Sequence, residues 1–210
     1  MFKNFPLAGR VATGSLALAL LAVVGSSARA GDSAKTIEVA INLPFSGTSG
    51  GTVSSMANAY SLAVDEANAA GLPGGYHVRI MRFDHGRPGA TFDLKLAAKN
   101  ARDNVADSKI VAVFGTLNSA AAKAEIPILD AAGLAEISST NTNPGLTKGA
   151  PAAKLRQARP DDNPFFRVCG TDDMQGPAGA QLLNQIGAKS VYIVDDNDAY
   201  GKTLADLFEI

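Results

Sequence analysis

The 210-residue sequence contains one cysteine, two histidines and no tryptophan, and its aromatic residues amount to 6%. A single cysteine excludes a disulfide framework, and two histidines with one cysteine are too few for a typical zinc site. The formal net charge of −1 gives no electrostatic reason to expect nucleic acid as a partner. Hydrophobic residues make up 46% of the chain, which is typical of a folded domain with an aliphatic core.

The N-terminal residues have the features of a secretory signal peptide. Lys3 and Arg10 precede an apolar stretch, Ser15–Val24, and Ala28 and Ala30 supply the small residues of a cleavage site. We therefore predict export and cleavage after Ala30, so that residues 1–30 are a signal peptide. A membrane anchor is less favoured, because a bilayer span needs about 20 apolar residues and this stretch has about half of that. The mature chain is then expected in an extracytoplasmic space.

After residue 35 the chain alternates strands with helices. Apolar residues at every second position indicate strands, and apolar stripes at helical spacing indicate helices. The predicted strands are Thr36–Leu43, Tyr76–Phe83, Ile110–Phe114, Leu134–Ile137, Phe165–Val168 and Ser190–Val194. The predicted helices are Val53–Ala70, Ala90–Asn104, Ser119–Ala132, Met174–Ile186 and one from Tyr200 onward, while residues 138–164 are predicted to be irregular. This order predicts an α/β fold with a doubly wound parallel sheet, whose ligands bind beyond the carboxyl ends of the strands.

The sequence does not support a catalytic or a nucleotide-binding function. Gly201-Lys202-Thr203 lacks the earlier glycine of a phosphate-binding loop, because Asp196 stands at that position. The adjacent aspartates at 172–173 and 195–196 are better explained as solvated turns than as acid/base pairs. We therefore predict a non-enzymatic protein without a cofactor or a metal ion, and we expect the lone Cys169 to be buried and inert.

Two polar clusters follow predicted strands and are candidates for ligand binding. Ser119 lies where the third strand gives way to a helix, and the N-terminal end of a helix favours a carboxylate. Residues 138–143 (SSTNTN) offer hydroxyl, amide and carbonyl groups without charge, which suit a zwitterion. The alternatives are a plain helix cap at Ser119 and a turn-rich loop at residues 138–143.

Several segments together resemble one known family. They are residues 43–47 (LPFSG), 111–115 (VAVFG) with Asn118-Ser119, 137–147 (ISSTNTNPGLT), 165–168 (FFRV), 173–176 (DMQG) and 196–201 (DNDAYG). The chain resembles the periplasmic solute-binding proteins of branched-chain amino acid ABC transporters, which have the type I periplasmic-binding fold. The resemblance runs from about Thr36 to the last residue.

The resemblance implies a set of ligand-binding residues. Ser119 and Thr142 are expected to hold the α-carboxylate of an amino acid-like ligand, and the backbone carbonyl of Asn141 is expected to accept from its ammonium group. Tyr200 is expected to close on the ligand from a second lobe. Asn118 and Thr140 are included as neighbours of these groups.

The resemblance also implies a domain arrangement and a partner. Residues 31–170 correspond to a nearly complete N-terminal lobe, and residues 171–210 to the start of a truncated second lobe. The implied function is a monomeric solute-binding component that delivers its ligand to an inner-membrane ABC permease. The alternatives are a ligand-sensing receptor module of the same fold, or a non-functional truncated fragment. With an incomplete second lobe we expect weak affinity, poor stability or aggregation.

Overall fold

The computed structural model describes residues 35–209, and the predicted signal peptide lies outside them. The strands are β1 (Lys35–Leu43), β2 (Tyr76–Asp84), β3 (Ile110–Gly115), β4 (Ala135–Ser138) and β5 (Phe165–Arg167). The helices are α1 (Gly50–Ala70), α2 (Leu94–Ala106), α3 (Ser119–Ala132), α4 (Gly149–Leu155), α5 (Asp172–Gln185) and α6 (Gly201–Phe208). Two short 3₁₀ turns occupy Pro73–Gly75 and Pro144–Leu146.

The strands form a single parallel sheet in the order β2-β1-β3-β4-β5. The sheet is doubly wound, because successive residues of β1 pack against helices on opposite faces. Ala40 packs with Ala101 of α2 and Leu129 of α3, whereas Ile41 packs with Val53 of α1. The predicted α/β class and parallel sheet are confirmed by this arrangement.

The middle strand β3 differs in one respect from the expectation that both of its faces are buried. Ile110 and Val113 are 5% and 0% exposed, but Val111 retains 46% exposure. The register between β1 and β3 shifts at this point, because Glu38 pairs with Ile110 and Val39 with Ala112, so Val111 is the extra residue of a β-bulge and is left exposed.

Local sequence signals explain where two of the helices begin and end. Asp93 caps α2 by accepting from the backbone N–H groups of Lys95 and Leu96, so the helix begins after the cap and not at Ala90 as predicted. Helix α3 begins at Ser119 as predicted and ends at Gly133, whose φ of 67° is left-handed.

Two predicted features in the second half of the chain are wrong. Residues 138–164 are not irregular throughout, because they contain the turn Pro144–Leu146 and helix α4. Residues 190–194 form no strand, since no strand of the described residues lies beside them to complete a hydrogen-bonded ladder. Helix α5 instead packs on α6, where Gly176 allows close approach to Leu207.

Cys169 is half-buried and not fully enclosed. Burial raises the pKa of its thiol, which keeps the less reactive protonated form predominant at neutral pH. The expectation of a fully buried cysteine is therefore wrong, while the inertness of this thiol stays a prediction.

No helix among residues 35–209 is both long and apolar enough to cross a membrane.

Candidate functional site

A cleft of about 300 Å³ opens at the carboxyl ends of the parallel strands. The chain runs from β1 outward to β2 and then returns to place β3 on the other side of β1, so the winding direction reverses between β1 and β3. Doubly wound sheets bind their ligands at such a reversal point. The cleft lies there, because its lining comes from the loops that follow β1, β3 and β4, with one further residue from the segment before α6: Ser49, Thr52, Leu117, Asn118, Ser119, Thr140, Thr142 and Tyr200.

Five of the six predicted ligand residues line this cleft: Asn118, Ser119, Thr140, Thr142 and Tyr200. The sixth, Asn141, has a fully buried side chain, whose amide exchanges hydrogen bonds with Thr116. The carbonyl of Asn141 accepts from Arg167 Nη1 at 2.7 Å. The structure therefore gives Asn141 a scaffolding position beneath the cleft and leaves Thr140 and Thr142 as the members of this turn that face it.

The N-terminal end of α3 provides hydrogen-bond donors to the cleft. Its N-cap residue, Asn118, makes no side-chain capping bond, and no acidic residue lies in the first helical turn. The first turn of an α-helix has backbone N–H groups without intrahelical partners, and the helix dipole makes this end electropositive. An anionic group in the cleft would therefore meet donors that nothing in the helix cap has satisfied.

Two polar atoms of the cleft residues lack a well-formed hydrogen bond to the protein. Thr142 Oγ1 and Asn118 Oδ1 are both buried, and no group among residues 35–209 meets full hydrogen-bond geometry with either, although the Asp172 carboxyl lies near enough to the Thr142 hydroxyl for that hydroxyl to lower its pKa. A buried hydroxyl without a partner costs free energy unless a ligand or water completes its bonding. The hydroxyl of Ser119, in contrast, accepts from the Asn143 backbone N–H at 3.4 Å, which fixes its position against the turn after β4.

Arg167 and Asp172 support the turn 140–143 from behind. Arg167 Nη1 donates to the carbonyls of Asn141 and Asn143, at 2.7 and 2.8 Å. The backbone N–H of Asp172 donates to the carbonyl between them, that of Thr142, at 3.0 Å. Burial raises the pKa of the Asp172 carboxyl, and the neighbouring Thr142 hydroxyl and Arg167 guanidinium oppose that rise. Successive carbonyls of the turn are thus held by β5 and α5.

The loop after β3 depends on a glycine. Gly115 has a φ of +140°, and a side chain there would clash with the carbonyl oxygen of Asn42 on β1. A residue with a Cβ would therefore push β3 away from β1 at the point where the loop toward Asn118 and Ser119 begins.

Sequence reasoning missed Ser49 and Thr52 as cleft residues, although it placed a Gly/Ser/Thr loop after β1. Residues 47–51 (GTSGG) also have the G-x-S-x-G spacing of a hydrolase nucleophile turn, and Ser49 follows a strand and precedes a helix. A serine nucleophile needs a neighbouring base, and the lining contains neither a histidine nor a carboxylate. The lining is instead uncharged throughout, which favours binding over acyl transfer.

A second, larger groove of about 560 Å³ lies between residues 191–196 and α6. Its walls include Val191, Tyr192 and Val194, whose exposures are 51%, 92% and 79%. These are apolar side chains on an open surface without converging donors, so we place the candidate site in the smaller polar cleft.

The sequence profile of the periplasmic binding protein family matches residues 36–209. The chain belongs to this family. An "Amino acid binding protein" of Pseudomonas aeruginosa is 29% identical over 194 residues, which cover 92% of this chain and 47% of that protein. The "Leu/Ile/Val-binding protein BraC3" of Rhizobium johnstonii is 30% identical over 175 residues, covering 82% of this chain and 43% of that protein.

Solved structures of periplasmic binding proteins share the fold. The branched-chain amino acid transporter substrate-binding protein LivJ of Streptococcus pneumoniae, in complex with isoleucine, matches with a TM-score of 0.70 and 28% identity. The match covers 83% of this chain and 46% of LivJ. The leucine-binding protein LivK of Thermotoga maritima matches with a TM-score of 0.68, over 82% of this chain and 44% of LivK, at 23% identity. This periplasmic binding protein therefore has the type I fold, and it spans about half the length of the curated relatives it matches.

Proposed function

We propose that this periplasmic binding protein captures a small amino acid-like solute in the cleft, without altering it, for delivery to a membrane ABC permease. The observation that carries the proposal is Thr142, which lines the cleft beside the N-terminal end of α3 and whose hydroxyl makes no bond of full hydrogen-bond geometry there, with the Asp172 carboxyl as its neighbour. Together with Ser119 and the open end of α3, it forms a set of neutral donors suited to a carboxylate. The family and its relatives support an aliphatic amino acid as the solute.

The remaining features of the proposal concern location and domain arrangement. Residues 1–30 direct export to the periplasm, residues 31–170 form the N-terminal lobe, and residues 171–210 begin the second lobe, from which Tyr200 reaches the cleft. Tyr200 is 40% exposed, so its ring has free surface to cover a solute. In this proposal the protein acts as a monomer.

Within the turn 140–143, we propose that Thr140 and not Asn141 contributes to the ammonium end of the solute. Asn141 is 0% exposed and its carbonyl accepts from the Arg167 guanidinium at 2.7 Å, whereas Thr140 lines the cleft. Thr140 Oγ1 donates to the carbonyls of Thr116 and Leu117, at 3.1 and 3.0 Å. The lone pairs of this oxygen are therefore available to accept from an ammonium group.

Isothermal titration of the full chain with isoleucine, leucine and valine tests this function. Thr142→Val removes the hydroxyl and keeps the shape of the side chain. Because a hydrogen bond to a charged group contributes about 1.5–3 kcal/mol, we expect the affinity to fall roughly 10- to 100-fold. Benzoate, a carboxylate without an ammonium group, should bind more weakly than isoleucine if both ends of the zwitterion are recognised.

Thr91→Val is the matched control for this experiment. Thr91 lies outside the cleft and shares a surface hydrogen bond of 3.1 Å with Thr48. Its substitution should leave the affinity unchanged. Equal affinities of the Thr142→Val variant and the unaltered protein would contradict the assigned site, and failure of every amino acid and of benzoate to bind would contradict the function.

A further inference from the structure

Asn143 makes hydrogen bonds through all of its polar groups, and these bonds join two parts of the chain. Its side-chain Nδ2 donates to the Ala199 carbonyl at 2.6 Å and to Thr203 Oγ1 at 2.9 Å. Its Oδ1 accepts from the Gly145 N–H at 2.8 Å. Because Gly145 N–H is a donor and the Ala199 carbonyl is an acceptor, only one orientation of the amide satisfies both neighbours.

The hydrogen bonds of Asn143 connect two of the proposed ligand-binding residues, Tyr200 and Ser119. Ala199 immediately precedes Tyr200, and Thr203 lies in the first turn of α6. On the other side, the Asn143 backbone N–H donates to Ser119 Oγ at 3.4 Å. Asn143 is 3% exposed, so these bonds are shielded from water, where they are stronger than at a surface.

We infer that Asn143 is a positioning residue, whose side-chain amide holds Tyr200 over the cleft by tying the turn after β4 to the start of α6. The inference rests on the proposed function for its effect on binding. The tie itself does not, because the bonds exist without a solute. A solute that contacts both Ser119 and Tyr200 would bind more tightly because of this tie. Since α6 is already held in place, less conformational entropy is lost on binding.

Asn143→Asp separates this role from simple stabilisation of the turn. An aspartate retains an oxygen that accepts from Gly145 N–H, so the local cap is preserved. The second oxygen replaces the amide nitrogen and faces the Ala199 carbonyl, which turns an attraction into a repulsion. The Thr203 hydroxyl can rotate and donate to that oxygen, so Asn143→Asp combined with Thr203→Val should release α6 most completely.

The first measurement needs no solute. Fluorine NMR of the full chain labelled with 3-fluorotyrosine gives one signal for each of the four tyrosines, and Tyr→Phe substitutions assign them. We expect the Tyr200 signal to sharpen and move toward that of exposed Tyr192 in Asn143→Asp, and further in the double variant. Asn184→Asp makes the same chemical change on an exposed face of α5 and should leave the Tyr200 signal in place.

The second measurement is isoleucine affinity, which should fall about 10-fold in Asn143→Asp. An unchanged Tyr200 signal in Asn143→Asp and in the double variant would overturn the inference, whatever the affinity does. If Asn143→Asp does not fold, Thr203→Val alone decides, since it keeps the cap and removes one bond. If the unaltered protein binds no amino acid, the proposed function fails while the NMR result still decides the role of Asn143.

Discussion

Two buried carboxyl groups should make the protein less stable as the pH rises above about 6.5. Glu125 of α3 and Glu136 of β4 are 0% and 1% exposed. Burial raises the pKa of Glu125 to about 8, against an ordinary value of 4.5, although Asn42 Nδ2 donates to it at 2.8 Å. Burial, and then the charge of Glu125, raise the pKa of Glu136 well above 4.5. At pH 6.5 Glu125 is protonated in the folded protein and ionised in the unfolded chain, and the raised pKa of Glu136 acts in the same direction.

A neighbouring histidine sets the lower limit of this pH window. His85 is fully buried, and its Nδ1 lies 4.0 Å from Glu125 Oε1. Burial lowers the pKa of His85 to about 4 from 6.5, so between these values the unfolded chain binds the extra proton and stability rises with pH. That rise opposes the effect of the two glutamates. Above pH 6.5 this opposing contribution fades, because the imidazole is neutral in the folded protein and increasingly neutral in the unfolded chain.

The magnitude follows from proton linkage. One proton bound in excess by the folded state lowers the free energy of unfolding by about 1.4 kcal/mol per pH unit. Between pH 6.5 and 7.5 we therefore expect Glu125 to lower the free energy of unfolding by about 1.4 kcal/mol, with a further loss of the same sign from Glu136 and a smaller opposing contribution from His85. For a protein of this size, 1.4 kcal/mol corresponds to a fall of roughly 3–6 °C in Tm.

Urea unfolding followed by circular dichroism at pH 6.5, 7.0 and 7.5 measures this slope. Glu125→Gln imitates the neutral carboxyl and still accepts from Asn42, so the variant should lose the part of the pH dependence that Glu125 contributes, and its slope should become shallower. Glu66→Gln, at an exposed position of α1, should leave the slope unchanged. Stability that stays constant or increases from pH 6.5 to 7.5 would refute the reasoning, as would an unaltered slope in Glu125→Gln.

Two further substitutions test the scaffold of the cleft. Gly115→Ala should lower the free energy of unfolding by more than about 1 kcal/mol and weaken isoleucine binding, because the new Cβ meets the Asn42 carbonyl. Thermal unfolding measures the first effect and isothermal titration the second. Tyr60→Phe should lower the free energy of unfolding in urea by about 1 kcal/mol, because it removes the 2.9 Å hydrogen bond to Ser139 and keeps the ring stacked on Phe114. Ser139→Ala should lower it by about the same amount, and unequal losses would contradict a shared hydrogen bond.

The elements that could be predicted from the sequence are those whose signals are local. The alternation Ile37, Val39, Ile41 and Leu43 indicates β1 without any knowledge of its neighbours. The start of α3 at Ser119 and its end at Gly133 follow from cap and stop residues. The start of α3 and the polar residues 138–143 point to Ser119, Thr140 and Thr142 as cleft residues, whereas Asn118 and Tyr200 were expected only from the resemblance to the family.

The errors arose where partners distant in the chain decide the outcome. Residues 190–194 have the apolar pattern of a strand, but a strand needs a neighbour, and none lies beside them in the described part of the chain. Asn141 and Asn143 have similar side chains two residues apart, yet one binds Thr116 and the other binds Ala199. No local pattern distinguishes an amide that turns inward from one that joins two elements.

The uncharged lining of the cleft has a physical reason in the proposed function. A charged side chain placed to hold a carboxylate must itself be taken out of water in the cleft, and burying an ion costs several kcal/mol. Hydroxyl groups and helix N–H donors avoid that cost, because they carry partial charges fixed by the fold. The loops that follow β3 and β4 supply such donors through Ser119 and Thr142. The donors that bind the anion are thereby positioned by the sheet and helix geometry, and binding needs little rearrangement of charged side chains.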